Sequence, residues 1–375
     1  MTRRSYIGAA IFDGTHLHHD TALVVEDGCV LRIGAAEGQV IRLDGGVLAP
    51  GFLDLQVNGA GGVAVDRTLD VHQVCMLCTT QMRLGATGCL PTLITDSYEA
   101  TARVVAAGLA AARADTPGFL GLHLEGPHLD PRRKGAHDAT LIRPMQDRDL
   151  ALFLHAAAGL PSLMVTVAPE SVTPDQIAAM ARAGIIVSLG HSDCSAESAR
   201  RAMAAGATCA THLFNAMSQL SNREPGLVGA VLSSDCQAGL IADGIHVHPA
   251  VLRIALAARP EGLFLVSDCM AIAGTDAREM QLGGRRILRR DGRLTLEDGT
   301  LAGADLTLPR AVAVLVQQAG IAPERALAMA TSVPAQVLGR QAQLGHLAPG
   351  RAADIVHLGP DWTLRQVWHR GKMLN

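Results

Sequence analysis

A glutamate and two histidines, Glu125, His191 and His212, each lie at or just beyond the end of a short apolar run of the chain. Carboxylate oxygen and imidazole nitrogen suit zinc or another borderline divalent ion, and a catalytic centre of that kind takes three protein ligands and keeps a position open. Asp268 follows a further run of the same sort. A carboxylate facing a water activated by a cation is a suitable general base. Each residue also has an ordinary reading. A histidine after an apolar run is usually a satisfied core or surface residue, and an aspartate there is usually a helix cap or an ion-pair partner. What argues for chemistry is position: these residues, with Gln56, Asn58, His123, Asp243 and His246, fall at the ends of separate strand-like runs. Independent segments would then supply one site.

The elements that must position them alternate. Strand-like runs fall at residues 47–57, 88–94, 119–124, 162–168, 185–189, 207–211, 238–242 and 263–267, and helix-like, alanine-rich stretches at 100–114, 173–183, 196–205 and 249–258. Eight strands alternating with helices predict an α/β fold, a (β/α)₈ barrel, in which residues at the C-terminal strand ends converge on one axis. A doubly wound open sheet is the structural rival, but no G-x-G-x-x-G follows the first strand and no phosphate-binding G-x₄-G-K-[ST] occurs. Asp27-Gly28 between apolar runs signals a hairpin near the start, and residues 353–372 alternate in the same way. The expectation is a small β-sandwich domain built from both termini (1–48 and 346–375) around a barrel over 49–345. Asp291-Gly292 and Asp298-Gly299 predict a hairpin inserted near 285–300.

Composition narrows the class. The 375 residues are 49% hydrophobic and 18% charged, with a formal net charge of -3 and 3% aromatic residues. This gives neither the basic footprint nor the stacking platforms of a nucleic-acid binder. No apolar run reaches the roughly 18–20 residues needed to span a bilayer. The basic start meets Asp13, His16, His18 and His19 rather than an apolar core and cleavage site. No membrane association and a cytoplasmic location are expected. The eight cysteines are scattered as buried reduced thiols usually are; Cys75 and Cys78 form a lone C-x₂-C without the second pair of a zinc site.

Several segments, in order, resemble the N-acetylglucosamine-6-phosphate deacetylases of the amidohydrolase superfamily: Val47-Leu-Ala-Pro-Gly-Phe-Leu-Asp-Leu-Gln-Val-Asn-Gly, His123-Leu-Glu-Gly-Pro, Lys134-Gly-Ala-His, Gly190-His-Ser, Thr211-His-Leu-Phe-Asn-Ala-Met, Arg223-Glu-Pro-Gly, Ala242-Asp-Gly-Ile-His, Val266-Ser-Asp and Gly345-His-Leu-Ala-Pro-Gly-Arg-Ala-Ala-Asp. The segment after His212 and Arg223-Glu-Pro-Gly are specific to this branch, whereas the first and last mark the superfamily. The resemblance implies that Glu125, His191 and His212 hold one divalent metal, with zinc expected first and Fe, Mn, Co or Cd compatible. It implies that Asp268 is the acid/base and that His137 assists at the carbonyl. Ala136, Asn215, Ala216, Asp243 and His246 would contact the phosphorylated amino sugar, and Leu301, Ala302 and Gly303 would close the pocket. Arg223 would reach the phosphate from the neighbouring subunit of a homodimer.

Two features depart from the family's commonest pattern. Gln56 and Asn58 stand where many amidohydrolases carry His-x-His, and neutral amides are poor ligands for a transition metal, so one metal is expected rather than two. His128 stands where an aromatic residue is frequent, with consequences expected for metal occupancy or the pocket wall. Arg132, Arg133 and Lys134 read as an exposed loop that could also attract phosphate. The implied reaction is hydrolysis of the acetamide of N-acetyl-D-glucosamine 6-phosphate. The epimeric N-acetylgalactosamine 6-phosphate is the alternative substrate, and an inactive scaffold or binding protein the alternative of another class.

Overall fold

The computed structural model describes residues 3–374. Eight strands, β1 (Phe52–Val57), β2 (Ala86–Ile94), β3 (Leu122–Glu125), β4 (Leu163–Val167), β5 (Ile186–Leu189), β6 (Cys209–Ala210), β7 (Gln237–Leu240) and β8 (Leu263–Leu265), lie side by side in chain order in one sheet, every neighbouring pair parallel. The seam between first and last strand is drawn together at its C-terminal end. Asp268 N–H donates to Gln56 O at 3.0 Å and Asn58 N–H to Cys269 O at 2.8 Å. The result is a nearly closed barrel. All six residues of β1 and all five of β4 are buried, as expected of strands covered by helices outside and by packed side chains within.

The helices start where the sequence supplies caps. Ser97 accepts from Ala100 N–H ahead of Tyr98–Arg113. Thr173 and Gln176 form a capping box with Pro174 in the first turn of Pro174–Arg182, and Asp70 and Gln73 do the same for Val71–Arg83. Each such cap satisfies backbone N–H groups that the helix itself cannot. Cys75 and Cys78 lie on that last helix but differ in surroundings: Cys75 is exposed, whereas Cys78 is buried with its sulfur 3.8 Å from that of Cys89. Among the described residues no helix is long and apolar enough to cross a membrane.

Two further sheets are built from the ends of the chain, and the second of them holds strands from both. One holds Arg3–Ile7, Ala22–Glu26, Cys29–Gly34 and Gln39–Arg42; the other joins Val47–Pro50, Ala10–Phe12 and Leu17–His18 to Ile355–Leu358, Leu364–His369 and Lys372–Met373. A small core of Tyr6, Ile11, Leu23, Leu48, Ile355 and Trp368 lies between them.

Two details differ from the sequence expectation. The run at 47–57 is not one barrel strand: Val47–Pro50 pairs with Ile355–Leu358 in the terminal sheet, and only Phe52–Val57 enters the barrel. Residues 49–50, expected in the barrel, thus belong with the terminal strands. The change of sheet occurs at Gly51, where an added Cβ would come within 2.0 Å of Thr87 Oγ1, so only glycine permits this approach. The hairpin expected near 285–300 is larger, an antiparallel four-stranded sheet of Glu279–Leu282, Arg285–Arg290, Arg293–Leu296 and Leu301–Ala304. Its first turn, Gly283-Gly284, is as good a hairpin signal as the two Asp-Gly turns. Ile287, Leu294 and Ala302 of this sheet pack on Met270 and Ile272 beside the barrel mouth.

Candidate active site

The C-terminal ends of β3, β5 and β6 bring Glu125, His191 and His212 together, all buried. Glu125 Oε1 lies 3.0 Å from the Nε2 of each histidine, and the two Nε2 atoms are 3.1 Å apart. Hydrogen bonds alone do not explain that triangle, because two imidazole nitrogens and a carboxylate oxygen have few protons to share. Ligand atoms about 2.0–2.2 Å from one ion would be spaced similarly. His191 is also oriented as a ligand: its Nδ1–H donates to Arg133 O at 2.9 Å, which leaves the Nε2 lone pair for a cation. Donor set and geometry therefore fit one divalent ion. His191, His212 and Asp268 have φ of 47°, 32° and 50°, a region that non-glycine residues rarely adopt. Strain of this kind persists where surrounding structure over-determines it, and it concentrates at functional sites.

At the end of β1, Gln56 ties two carboxylates together and Asn58 adds a second donor to one of them. Gln56 Nε2 donates to both Glu125 Oε2 and Asp268 Oδ1 at 3.2 Å, and Asn58 Nδ2 donates to Asp268 Oδ1 at 2.7 Å. Burial, followed by the charge of Glu125, pushes the Asp268 carboxyl up to about 6. Burial pulls Glu125 the same way, but without a cation the adjoining His191 and His212 imidazoles, which can then donate to it, outweigh burial and hold that carboxyl well below its ordinary value. Two nearby carboxyls thus have opposite shifts, the pattern that separates a ligand from a proton carrier.

His137 approaches from the loop after β3. Thr95 N–H and the Thr95 hydroxyl both donate to His137 Nδ1, at 3.3 and 2.7 Å, so the ring proton sits on Nε2. Burial, then the neighbouring His191, pushes the His137 pKa well below the imidazole norm and keeps the ring neutral. Its Nε2 is 4.0 Å from Glu125 Oε1, beside the ligand triangle rather than in it. Sequence reading named His137 but missed Thr95, which fixes its tautomer and carries no local signal.

These groups line a cavity of about 240 Å³, which Ala136, Asn215, Ala216 and His246 also line. The inserted sheet roofs it through Leu282, Thr300, Leu301, Ala302 and Gly303. The Arg285 guanidinium donates to Ala136 O, linking the roof to the His137 loop. At Gly303, φ is 66° and a Cβ would come within 2.5 Å of Met270, so glycine is required for the roof to sit this close.

Two residues, Asp243 and His128, lie elsewhere than the sequence suggested. Asp243 does not line the cavity; it stands behind His246, accepting from its Nδ1–H at 2.6 Å and from its backbone N–H at 2.7 Å. Arg223 is exposed and absent from the cavity wall of its own chain. His128 faces neither the candidate metal site nor the cavity: its Nδ1–H donates to Arg143 O at 3.1 Å and its ring packs edge-on against Phe153. In the loop that follows, Arg132 and Arg133 pair with Asp130 and Asp193, and Lys134 is exposed.

A nearly closed parallel barrel with a His₂-carboxylate centre and an adjacent aspartate at the strand C-termini defines a class, the metal-dependent hydrolases of amidohydrolase type. The profile of the Amidohydrolase family matches residues 47–374. An N-acetylgalactosamine-6-phosphate deacetylase of Shewanella sp. (strain ANA-3) is 36% identical over 98% of this chain and 95% of its own. An N-acetylglucosamine-6-phosphate deacetylase of Haemophilus influenzae is 35% identical over 87% and 86%. The crystal structure of N-acetylglucosamine-6-phosphate deacetylase from Pasteurella multocida superposes with a TM-score of 0.94 at 32% identity, covering 99% of each chain. The chain belongs to the amidohydrolase family, in its N-acetylglucosamine-6-phosphate deacetylase branch.

Proposed function

We propose that the protein hydrolyses the acetamide of N-acetyl-D-glucosamine 6-phosphate, yielding D-glucosamine 6-phosphate and acetate, as a step of amino-sugar catabolism. The observation that carries this reading is the meeting of Glu125, His191 and His212 with Asp268 and His137 in one cavity. A divalent cation held by the three ligands, zinc in the first instance and Fe, Mn, Co or Cd with the same donors, would acidify water and polarise the acetamide carbonyl.

The chain's own groups do the rest. Asp268 Oδ1 is engaged by the two strand-end amides, so Oδ2 is the oxygen that accepts the proton of the attacking water. The same carboxyl returns that proton to the leaving nitrogen as the C–N bond breaks. His137 Nε2–H donates to the carbonyl oxygen as negative charge develops there. Asn215, Ala216 and His246 line the side of the cavity available to sugar and phosphate. A chain kept only as a scaffold would have no need of this set.

Arg223, exposed and away from its own cavity, is read as serving the neighbouring subunit of a homodimer. Its planar guanidinium suits a phosphate bidentately. Eight free cysteines support a reducing, cytoplasmic setting. Arg223→Met removes a charge-assisted contact of about 1.5–3 kcal/mol, and kcat/KM for the 6-phosphate should fall about 10- to 100-fold. Hydrolysis of unphosphorylated N-acetylglucosamine should hardly change. Equal losses on both sugars would remove Arg223 from phosphate recognition. Mixing Arg223→Met with Asp268→Asn chains should restore activity, because a hybrid dimer joins one intact copy of each in one pocket. Hybrids shown by mass spectrometry to form, but without recovered activity, would place Arg223 in its own subunit's site.

A second reading, N-acetylgalactosamine 6-phosphate as substrate, is favoured by the Shewanella relative, which matches over nearly the whole chain. The two sugars differ at one hydroxyl. Progress curves with both, at equal enzyme, decide between them: a higher kcat/KM for the gluco epimer supports the first reading and the reverse supports the second.

A further inference from the structure

The interior layers of a (β/α)₈ barrel are ordinarily filled by branched apolar side chains. Here the layer beneath the candidate metal centre is polar. His123 of β3, Thr166 of β4, Ser188 of β5 and Thr211 just after β6 are all buried, at 1%, 0%, 0% and 4% exposure. They touch in series. His123 Nδ1 lies 3.1 Å from Leu55 O, His123 Nε2 lies 2.7 Å from Thr166 Oγ1, Thr166 Oγ1 lies 2.6 Å from Thr211 Oγ1, and Thr211 Oγ1 lies 2.7 Å from Ser188 Oγ.

Chemistry gives this chain one direction. A carbonyl oxygen only accepts, so His123 Nδ1 carries a proton and donates to Leu55 O. In the neutral ring Nε2 is then an acceptor, and the Thr166 hydroxyl donates to it. Having spent its one proton, Thr166 accepts from Thr211, which in turn accepts from Ser188. The order is Ser188 to Thr211 to Thr166 to His123 to the backbone of β1, and it crosses from β6 to β1 inside the barrel.

Every member is tied to a residue of the centre above it. His123 and Glu125 are two apart on one strand and share its inward face. Thr166 is the register partner of Glu125 and Ser188 that of Thr166. Thr211 immediately precedes His212, and Ser188 precedes His191 by three. We infer that this polar belt is a template: it fixes the spacing of β3, β5 and β6, so that Glu125, His191 and His212 converge tightly enough to retain a cation. His123, Thr166, Thr211 and Ser188 are positioning residues, acting through the ligands rather than on substrate. A buried polar network of this kind confers rigidity only while fully satisfied, and one missing member leaves its neighbours unpaired in a dry interior.

The inference rests on Glu125, His191 and His212 being cation ligands, and the test separates the two ideas. Cation-loaded wild-type protein is mixed with excess chelator, and the rate of cation release is followed with a metal-indicator dye. Protein that holds no cation at all would sink the ligand assignment before the belt is tested. Thr166→Val keeps the shape but strands His123 Nε2 and the Thr211 hydroxyl. Release should be about 10- to 100-fold faster, the usual scale when the support of metal ligands is lost. Thr166→Ser, which keeps the hydroxyl, should restore slow release. If the valine variant does not fold, Ser188→Ala carries the measurement; it deletes only the first donor and should speed release about two- to five-fold, one neutral hydrogen bond's worth. Wild-type release from a folded Thr166→Val protein, or from Ser188→Ala where the valine variant does not fold, overturns the template.

Discussion

Asp268→Asn is expected to keep its cation and lose turnover by about 10²- to 10⁴-fold, the range for removing a positioned general base. The substitution is nearly isosteric, and the asparagine oxygen can still accept from Gln56 and Asn58, which now engage Asp268 Oδ1 at 3.2 and 2.7 Å. What disappears is the oxygen that, in the proposed mechanism, takes and returns the proton. The ligand triangle does not include Asp268, so elemental analysis should find the same cation content as in the wild type. Near-normal turnover in this variant would remove Asp268 from the mechanism. A pH profile adds an independent reading. Because the base must be ionised, kcat/KM falls as pH drops through its pKa. Burial and Glu125 push that carboxyl up to about 6 without a cation, and a neighbouring positive charge can only lower it. The acidic limb should therefore lie at or below about 6, and the asparagine variant should lose it.

His137→Gln should lower kcat by about 10²- to 10³-fold with little change in KM, the expected cost of removing one donor to a developing oxyanion. The split follows from timing, since the carbonyl oxygen becomes a strong acceptor only in the transition state. The surroundings of His137 suit the proposed task. Two donors from Thr95 occupy its Nδ1, which leaves the proton on Nε2. A glutamine side chain is not held by that pair of contacts. Cation content should persist, because His137 Nε2 stands 4.0 Å from Glu125 Oε1, outside the ligand set. A variant with unchanged kcat would exclude His137 from carbonyl activation, and one that loses its cation would make it a ligand.

The barrel was legible because its signals are local and repeated: apolar runs alternating with alanine-rich stretches, and chemistry-bearing residues at the ends of those runs. Glu125, His191, His212, His137 and Asp268 do meet in one cavity. The boundary at Gly51 was harder to read, since residues 47–57 form one apolar run and only the steric conflict with Thr87, distant in sequence, shows where the chain must change sheets. The inserted sheet was underestimated because Gly283-Gly284 was not counted beside the two Asp-Gly turns. Asp243 and His128 illustrate a different limit. Each sits beside site residues in sequence, but the direction of a side chain at a strand end depends on backbone angles that spacing does not reveal. Spacing shows Gln56 and Asn58 only as ligands lost, whereas in the structure Gln56 bridges Glu125 and Asp268 and Asn58 holds Asp268. The polar belt was invisible for a related reason, since serine and threonine in a strand look ordinary until four strands bring them into series.

The central claim, a deacetylase working with one cation per chain, is tested most directly by titrating chelator-treated protein with Zn²⁺ while following acetate release from N-acetyl-D-glucosamine 6-phosphate. Activity should start near zero, rise linearly and break at one equivalent, since Gln56 and Asn58 offer no second set of ligands. A break at two equivalents, full activity without added ion, or no acetate with one ion bound would contradict it.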